Sequence, residues 1–275
     1  MPRSVLLVLL AALAAPPQKP TFVVPNYHDT TITTRVTRGL MLPMVTTLRL
    51  KGSRQRTESH PESAKPFLPF MVHIMQCDQQ AGIMLSQHSK TYRLTHWHEP
   101  ARERHARPPK PPDGPEVTVT INSVDTGERR TMGSYQAQHV KTTVTVSPSK
   151  EASAKPSRTD IDGWYIDLPG LNCRSEMPDR IPPNVGGWYV TRQIGSHDHL
   201  IYKQVGTASR GYTIQETSTE RSDGNVVVNK TELVEFSEAP LDDSLFEVPE
   251  DYTPAEPPQP RMMERAPVGP GLSPQ

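Results

Sequence analysis

The chain has 275 residues, enough for one large domain or two small ones. Thirty basic and 30 acidic residues give a formal charge of +0 at pH 7, so no net field draws in a phosphate backbone, which argues against nucleic acid as a partner. Hydrophobic residues make up 34%, below the about 45–50% usual in globular chains, and the 30 prolines argue against a helical protein.

The chain opens with the pattern of an export signal. Arg3 supplies a positive start, residues 5–10 form an unbroken apolar run, and Ala12-Leu13-Ala14 fits an A-x-A cleavage site. Residues 1–15 therefore read as a signal peptide. Counted on through the alanines that follow, the apolar stretch is about half the ~20 residues a membrane span needs, and no later run is longer, so no transmembrane segment is expected in the mature chain. The expected location is periplasmic or secreted. An oxidising compartment favours joining the two cysteines, Cys77 and Cys173, as a disulfide; two isolated thiols are the alternative.

β-Branched alternation dominates the rest of the chain. Residues 30–37 read Thr-Thr-Ile-Thr-Thr-Arg-Val-Thr, and residues 45–51 and 54–59 flank a Gly52-Ser53 turn. Residues 69–77 read as a buried strand, and 82–87 with 90–95 as a hairpin. Residues 116–124 form the clearest strand, followed by 129–132, 138–147 and the short aromatic stretch 164–168. Strands at 199–205, 212–220 and 226–236 complete the series, the last two joined at Asp223-Gly224. About eleven strands at this spacing predict a mainly β protein with few short helices, at 182–187 and 242–246.

Residues 99–115 read as a long exposed loop, and 147–160 have linker composition. Residues 253–275 are Pro-rich and predicted to be disordered. Residues 21–252 then make a single β-rich domain.

The close of the chain carries a family resemblance. Arg210-Gly211-Tyr212-Thr213-Ile214 is followed by Lys230-Thr231-Glu232-Leu233-Val234, and then by a finish running from Ala239-Pro240 through Phe246-Glu247-Val248-Pro249 to Tyr252. Lys51-Gly52-Ser53-Arg54, Ser89-Lys90-Thr91-Tyr92 and Gly133-Ser134-Tyr135 add to it. This resembles exported bacterial proteins of the DUF4412 type, of unknown function and related in fold to the LolA and LppX lipoprotein carriers. Thr213 stands where that group has proline and Asp251 where it has glycine. The resemblance implies a strongly curved antiparallel sheet, a half-barrel able to enclose an apolar cavity, and no catalytic residues.

Motifs for chemistry are absent: no G-x-S-x-G, no Gly-rich phosphate loop and no H-E-x-x-H. His96, His98 and His105, with His197 and His199, allow a two-plus-two metal site on strands, but surface histidines give the same pattern. Asp160, Asp162 and Asp167 beside Trp164 and Tyr165 resemble a carboxylate pair for glycoside hydrolysis, and equally a set of solvated acids. Arg102, Arg104, Arg107 and Lys110 form a basic loop that suits an anionic headgroup or plain solvent.

The expectation is thus a non-catalytic binding protein with no cofactor and no metal. Its apolar lining would come from Val72, Ile74, Met84, Val119, Ile121, Val144, Ile201, Ile214 and Val227, with Leu85 and Leu233 as further candidates. The partner is a lipid-like or lipoprotein ligand; the alternative is another protein of the cell envelope, met through a sheet edge or the tail.

Overall fold

The structure, a computed structural model, describes residues 24–63, 71–96, 114–173 and 198–255. Residues 1–15, the basic loop, the expected helix at 182–187 and most of the Pro-rich tail lie outside these residues.

The described chain is mainly β. Its strands are β1 (Tyr27–Arg38), β2 (Met44–Gly52), β3 (Arg54–Pro61), β4 (Met71–Gln76), β5 (Ala81–Ser86), β6 (Thr91–His96) and β7 (Glu116–Met132). They continue with β8 (Tyr135–Pro148), β9 (Ser157–Ile166), β10 (His199–Val205), β11 (Tyr212–Ser222), β12 (Asn225–Ser237) and β13 (Thr253–Pro254). Two single-turn 3-10 helices, Leu171–Cys173 and Asp243–Phe246, are the helical elements among the described residues. All thirteen strands join one sheet in the order β10-β7-β8-β9-β11-β12-β1-β2-β3-β4-β5-β6-β13.

Several boundaries differ from the sequence reading, each for a local reason. Residues 116–124 and 129–132 are one strand, because a bulge between Asp125 and Arg129 absorbs the interruption, with Gly127 at φ 83°. Strand β9 starts at Ser157, inside the linker-like stretch, because polar Ser157-Arg158-Thr159-Asp160 pairs with β8 on one side and β11 on the other. Composition suggests a linker there; pairing on both sides makes a central strand. Thr253 and Pro254, assigned to the tail, pair with β6. The pairing is antiparallel except at the two ends of the sheet, where β10 runs parallel to β7 and β13 parallel to β6. The Asp223-Gly224 hairpin forms as expected, both residues taking positive φ (50° and 76°) as a tight primed turn requires.

Apolar side chains gather in separate clusters. Val117, Val119, Ile121, Val144, Val146 and Ile161 pack under Ala154 from the β8–β9 connection. Ile32, Leu48 and Leu50 from β1 and β2 meet Met132, Ala137, Ile166 and Ile214 from β7, β8, β9 and β11. Val72, Ile74, Ile83 and Leu85 of β4 and β5 are covered by Phe246, which is 1% exposed. Cys77 and Cys173 are bonded and buried beside Met75, tying the β4–β5 turn to the segment after β9.

Polar contacts hold the cover over β4 and β5. Beyond β12 the chain crosses β2 and β3, where Leu241 N donates to Asp29, Lys51 pairs with Asp243 at 2.9 Å and Arg54 pairs with Glu247. Arg56 donates to Leu245 O at 2.8 Å and buried Gln76 to Phe246 O at 3.0 Å. Thr253 N then donates to Lys90 O, starting the parallel edge.

Phe246→Ala empties the centre of this cover. It should cost about 3–5 kcal/mol, read as a lower denaturant midpoint with an unchanged slope. A loss under about 1 kcal/mol would mean that the segment is not a fixed cover.

Candidate functional site

The residues expected to line one cavity are dispersed. Val72 and Ile74 lie under Phe246, with Leu85; Val119, Ile121 and Val144 sit in the β7–β8 cluster; Ile214 packs with Ile32. Ile201 is half-buried on β10. Met84 and Val227 are exposed, at 48% and 41%, as is Leu233. A recess of about 480 Å³ near Ser123, Asp125, Gln138 and Ser209 is open to solvent and mostly polar.

The other candidates also separate. His96 ends β6 and His199 begins β10, towards opposite ends of the sheet order; His98, His105 and His197 lie outside the described residues. No group of three or more His, Cys, Asp or Glu is placed to hold a metal among the described residues. Asp160 is taken up by Arg158 and Arg221, at 2.9 and 2.7 Å, and by Thr143. Asp162 faces His139 instead, and Asp167 is exposed.

His139, which no sequence motif singles out, organises a polar network across three strands. Its Nε2 lies 2.6 Å from Asp162 Oδ1, and its Nδ1 lies 3.1 Å from both Thr126 Oγ1 and Glu128 Oε2. With Nε2–H donated to Asp162, Nδ1 either accepts from the Thr126 hydroxyl as a neutral ring or donates to Glu128 as an imidazolium. The ring stacks on Trp164 at 4.9 Å, and the Arg130 guanidinium lies 4.3 Å from the Trp164 ring. Partial burial pushes Asp162 up; the His139 hydrogen bond, the His139 charge and Lys141 outweigh it and leave the carboxyl below its ordinary value.

Thr126, His139 and Asp162 stand in the order of a nucleophile–base–acid relay. The surrounding donors are committed elsewhere. Thr126 Oγ1 also bonds His139 O at 3.2 Å and receives Glu128 N–H, while Gly127 N–H goes to Asp125 at 2.8 Å. The Gly127 and Glu128 amides are therefore engaged within the bulge, not presented to an oxyanion. What the network does is clamp the bulge of β7 to β8 and β9.

A second feature, legible only in three dimensions, lies at the end of the sheet where the β1–β2 and β11–β12 turns meet. Leu40, Met41 and Leu42 of the first turn are 106%, 61% and 65% exposed. Strand β12 lies between β11 and β1, yet Val226, Val227 and Val228 all stay exposed, as do Leu233 and Val234. The two turns are continuous: Gly39 N donates to Val228 O at 3.3 Å, and a Cβ on Gly39 would meet Val227 Cγ1 at 3.5 Å. With β12 in regular register there, Val226 and Val228 point to one face of the sheet and Val227 to the other, so apolar side chains are exposed on both faces near these turns.

Neither a scan against protein-family models nor a search of curated proteins finds a match for the chain.

This geometry is open to two tests. Hydrogen bonds from Arg129 and from Gly127 N–H hold the Asp125 carboxyl down at about 2, against an ordinary 3.8. A depressed folded value adds stability that is present above the unfolded value and lost as pH falls through the folded one. Carboxyl NMR should therefore show Asp125 titrating near 2, and Arg129→Gln should return it towards 3.8; an unmoved Asp125 would remove Arg129 as the cause. Separately, a Cβ on Gly211 would lie 2.1 Å from Ile166 O, a backbone atom that cannot swing aside. Gly211→Ala should cost at least about 1–3 kcal/mol in unfolding free energy.

Proposed function

We infer that this is an exported, non-catalytic binding protein that acts by docking another component of the cell envelope. The observation that carries the reading is the set of apolar side chains Leu40, Met41, Leu42 and Val226–Val228 around two adjoining turns, left in solvent while the clusters beneath Phe246 and Ala154 are filled by the chain itself. The bonded cysteines support export, and no helix among the described residues is long and apolar enough to cross a membrane.

A second reading, carriage of a lipid-like or lipoprotein ligand in a curved half-barrel, draws support from packing across the sheet. Tyr135 of β8 stacks edge-on against Phe236 of β12 at 6.2 Å, and Ser134 N donates to Glu238 at 2.9 Å. Tyr27 OH reaches Pro169 O at 2.9 Å. Contacts between strands this far apart in the order favour a sheet that curls on one face, as the resemblance to lipoprotein carriers implies. The clusters on that sheet are nonetheless packed with the chain's own side chains, which favours docking.

A photo-crosslinking residue at Met41, in cells exporting the protein, should yield a discrete adduct that the same probe at Lys203 on β10 does not. Absence of any adduct from Met41 would sink the docking reading. In parallel, a near-stoichiometric lipid in the organic extract of detergent-free protein would transfer the function to carriage. Replacing Leu40, Met41 and Leu42 together with serine should abolish the adduct while moving stability by no more than about 0.5 kcal/mol, because side chains this exposed bury little on folding.

A further inference from the structure

A separate site, independent of the docking reading, lies on β4 and β5. We propose that the face of these strands turned away from Phe246 binds a soft monovalent metal ion, Cu(I), between the Met75 and Met84 thioethers and the His73 imidazole.

Register brings the three donors to one place. Strands β4 and β5 pair without a shift, from Val72 opposite Leu85 to Gln76 opposite Ala81. Successive side chains alternate between faces, so Val72, Ile74, Ile83 and Leu85 take the face under Phe246. His73, Met75 and Met84 take the other. His73 and Met84 stand directly opposite each other, which sets their Cβ atoms about 4.5–5.5 Å apart. Met75 follows His73 by two residues, about 6.6 Å along the same strand. Gly82, the residue opposite Met75, adds no side chain there.

Burial differs across the set in the way a binding site needs. Met75 is 8% exposed and packed with Cys77 and Cys173, so one sulfur is held in place. His73 is half-buried and has no hydrogen-bond partner among the described residues. Burial holds its pKa below the ordinary value, so the ring is neutral and keeps a lone pair to donate. Met84 is 48% exposed, which core packing does not account for and which gives an ion a way in from solvent.

Donor chemistry selects the ion. Thioethers are neutral and polarisable, and they favour Cu(I) over the ions that carboxylate and carbonyl oxygens suit. On the flanking strands, Gln55 stands opposite Met75, Thr57 opposite His73 and Arg93 opposite Met84, so no carboxylate is among these neighbours. A divalent ion would meet no compensating charge there. Arg93 adds a positive charge, which an ion of single charge tolerates better. Thiolates do not compete, because both cysteines of the chain are bonded to each other. Thioethers need no deprotonation and are not consumed by disulfide formation, so the donor set suits an oxidising compartment.

The test is calorimetric titration of the exported, disulfide-bonded protein with Ag(I). This ion shares the charge and softness of Cu(I) and needs no reductant that would open the disulfide. A saturable site with a dissociation constant of about 1 µM or tighter is expected. In methyl and imidazole NMR, the Met75, Met84 and His73 signals should shift together as the site fills. Cu(I) supplied under nitrogen as its acetonitrile complex should compete with Ag(I) for the same signals. Met75→Leu and Met84→Leu conserve side-chain volume, so their metal-free thermal midpoints should stay near that of the wild type. Each of these variants, and His73→Gln, should weaken Ag(I) binding at least about 10-fold. Met132→Leu, in a different apolar cluster, should leave it unchanged.

A wild type with no saturable site at about 100 µM Ag(I) overturns the inference. Binding that persists unchanged in both leucine variants also overturns it, because the ion would then sit elsewhere. Zn(II) held as tightly as Ag(I) by the same residues would overturn the assignment to a soft ion. The docking reading is tested at Met41 on the β1–β2 turn, so its success or failure is read separately from these results.

Discussion

An open sheet of thirteen strands, with almost no helix among the described residues, must bury its apolar faces against its own irregular segments or against its own other strands, and this constraint governs the rest of the molecule. In a sandwich a second sheet would do that work, and in an α/β protein crossover helices would. Here Phe246 and its neighbours cover β4 and β5, and Ala154 with its loop covers β7 and β8. The core is consequently divided into local clusters instead of one continuous interior. A ligand cavity spanning the sheet would need these covers to be absent.

The same constraint explains why polar side chains are so involved in the fold. A covering segment has no ladder of its own, so its carbonyls and amides must be satisfied by the strands beneath. Lys51, Arg54, Arg56 and Gln76 reach up from β2, β3 and β4 to hold residues 241–247. The closing stretch 239–252 contains this segment, so part of its sequence pattern serves to keep a cover in place. On the other half of the sheet, Tyr165 OH donates to Glu216 at 2.7 Å, and Arg210 approaches the same carboxylate at 3.7 Å. Burial, helped by the Glu216 charge, pushes the Tyr165 phenol well above its ordinary value. That group is a structural donor, not a proton store for chemistry near neutral pH.

Covering has an end, and in the docking reading function begins there. The covered regions run from β7 to β9 and from β2 to β6, whereas β12 and the β1–β2 turn lie bare at one end. Exposed valine and leucine on an interior strand are an aggregation hazard unless something occupies them. Export, in the same reading, brings the protein to where a partner can do so before non-specific contacts accumulate. The His139 network lies on β7, β8 and β9, towards the β10 end of the strand order, and ties the β7 bulge to its two neighbours.

Much of the fold is legible along the chain because β-branched alternation is a local signal. The period-2 patterns in residues 30–37, 116–124 and 138–147 and the Asp223-Gly224 turn need no knowledge of neighbours. The expectation of export has a similarly local basis, since a leader-like start and a cysteine pair are read directly in order. Which side of a strand faces a cover is not local. Val72 and Val227 look alike in sequence, yet one is buried under the distant Phe246 and the other is 41% exposed, with no described segment laid across it. His139 carries no signal of its own because its meaning depends on Asp162 and Thr126, which come beside it through strand pairing and a bulge. Strands, turns and a bondable cysteine pair are thus written in the order of residues, being set by local backbone preference and side-chain chemistry. The division of apolar residues into core and surface belongs to the tertiary structure, because burial depends on what the rest of the chain lays across them.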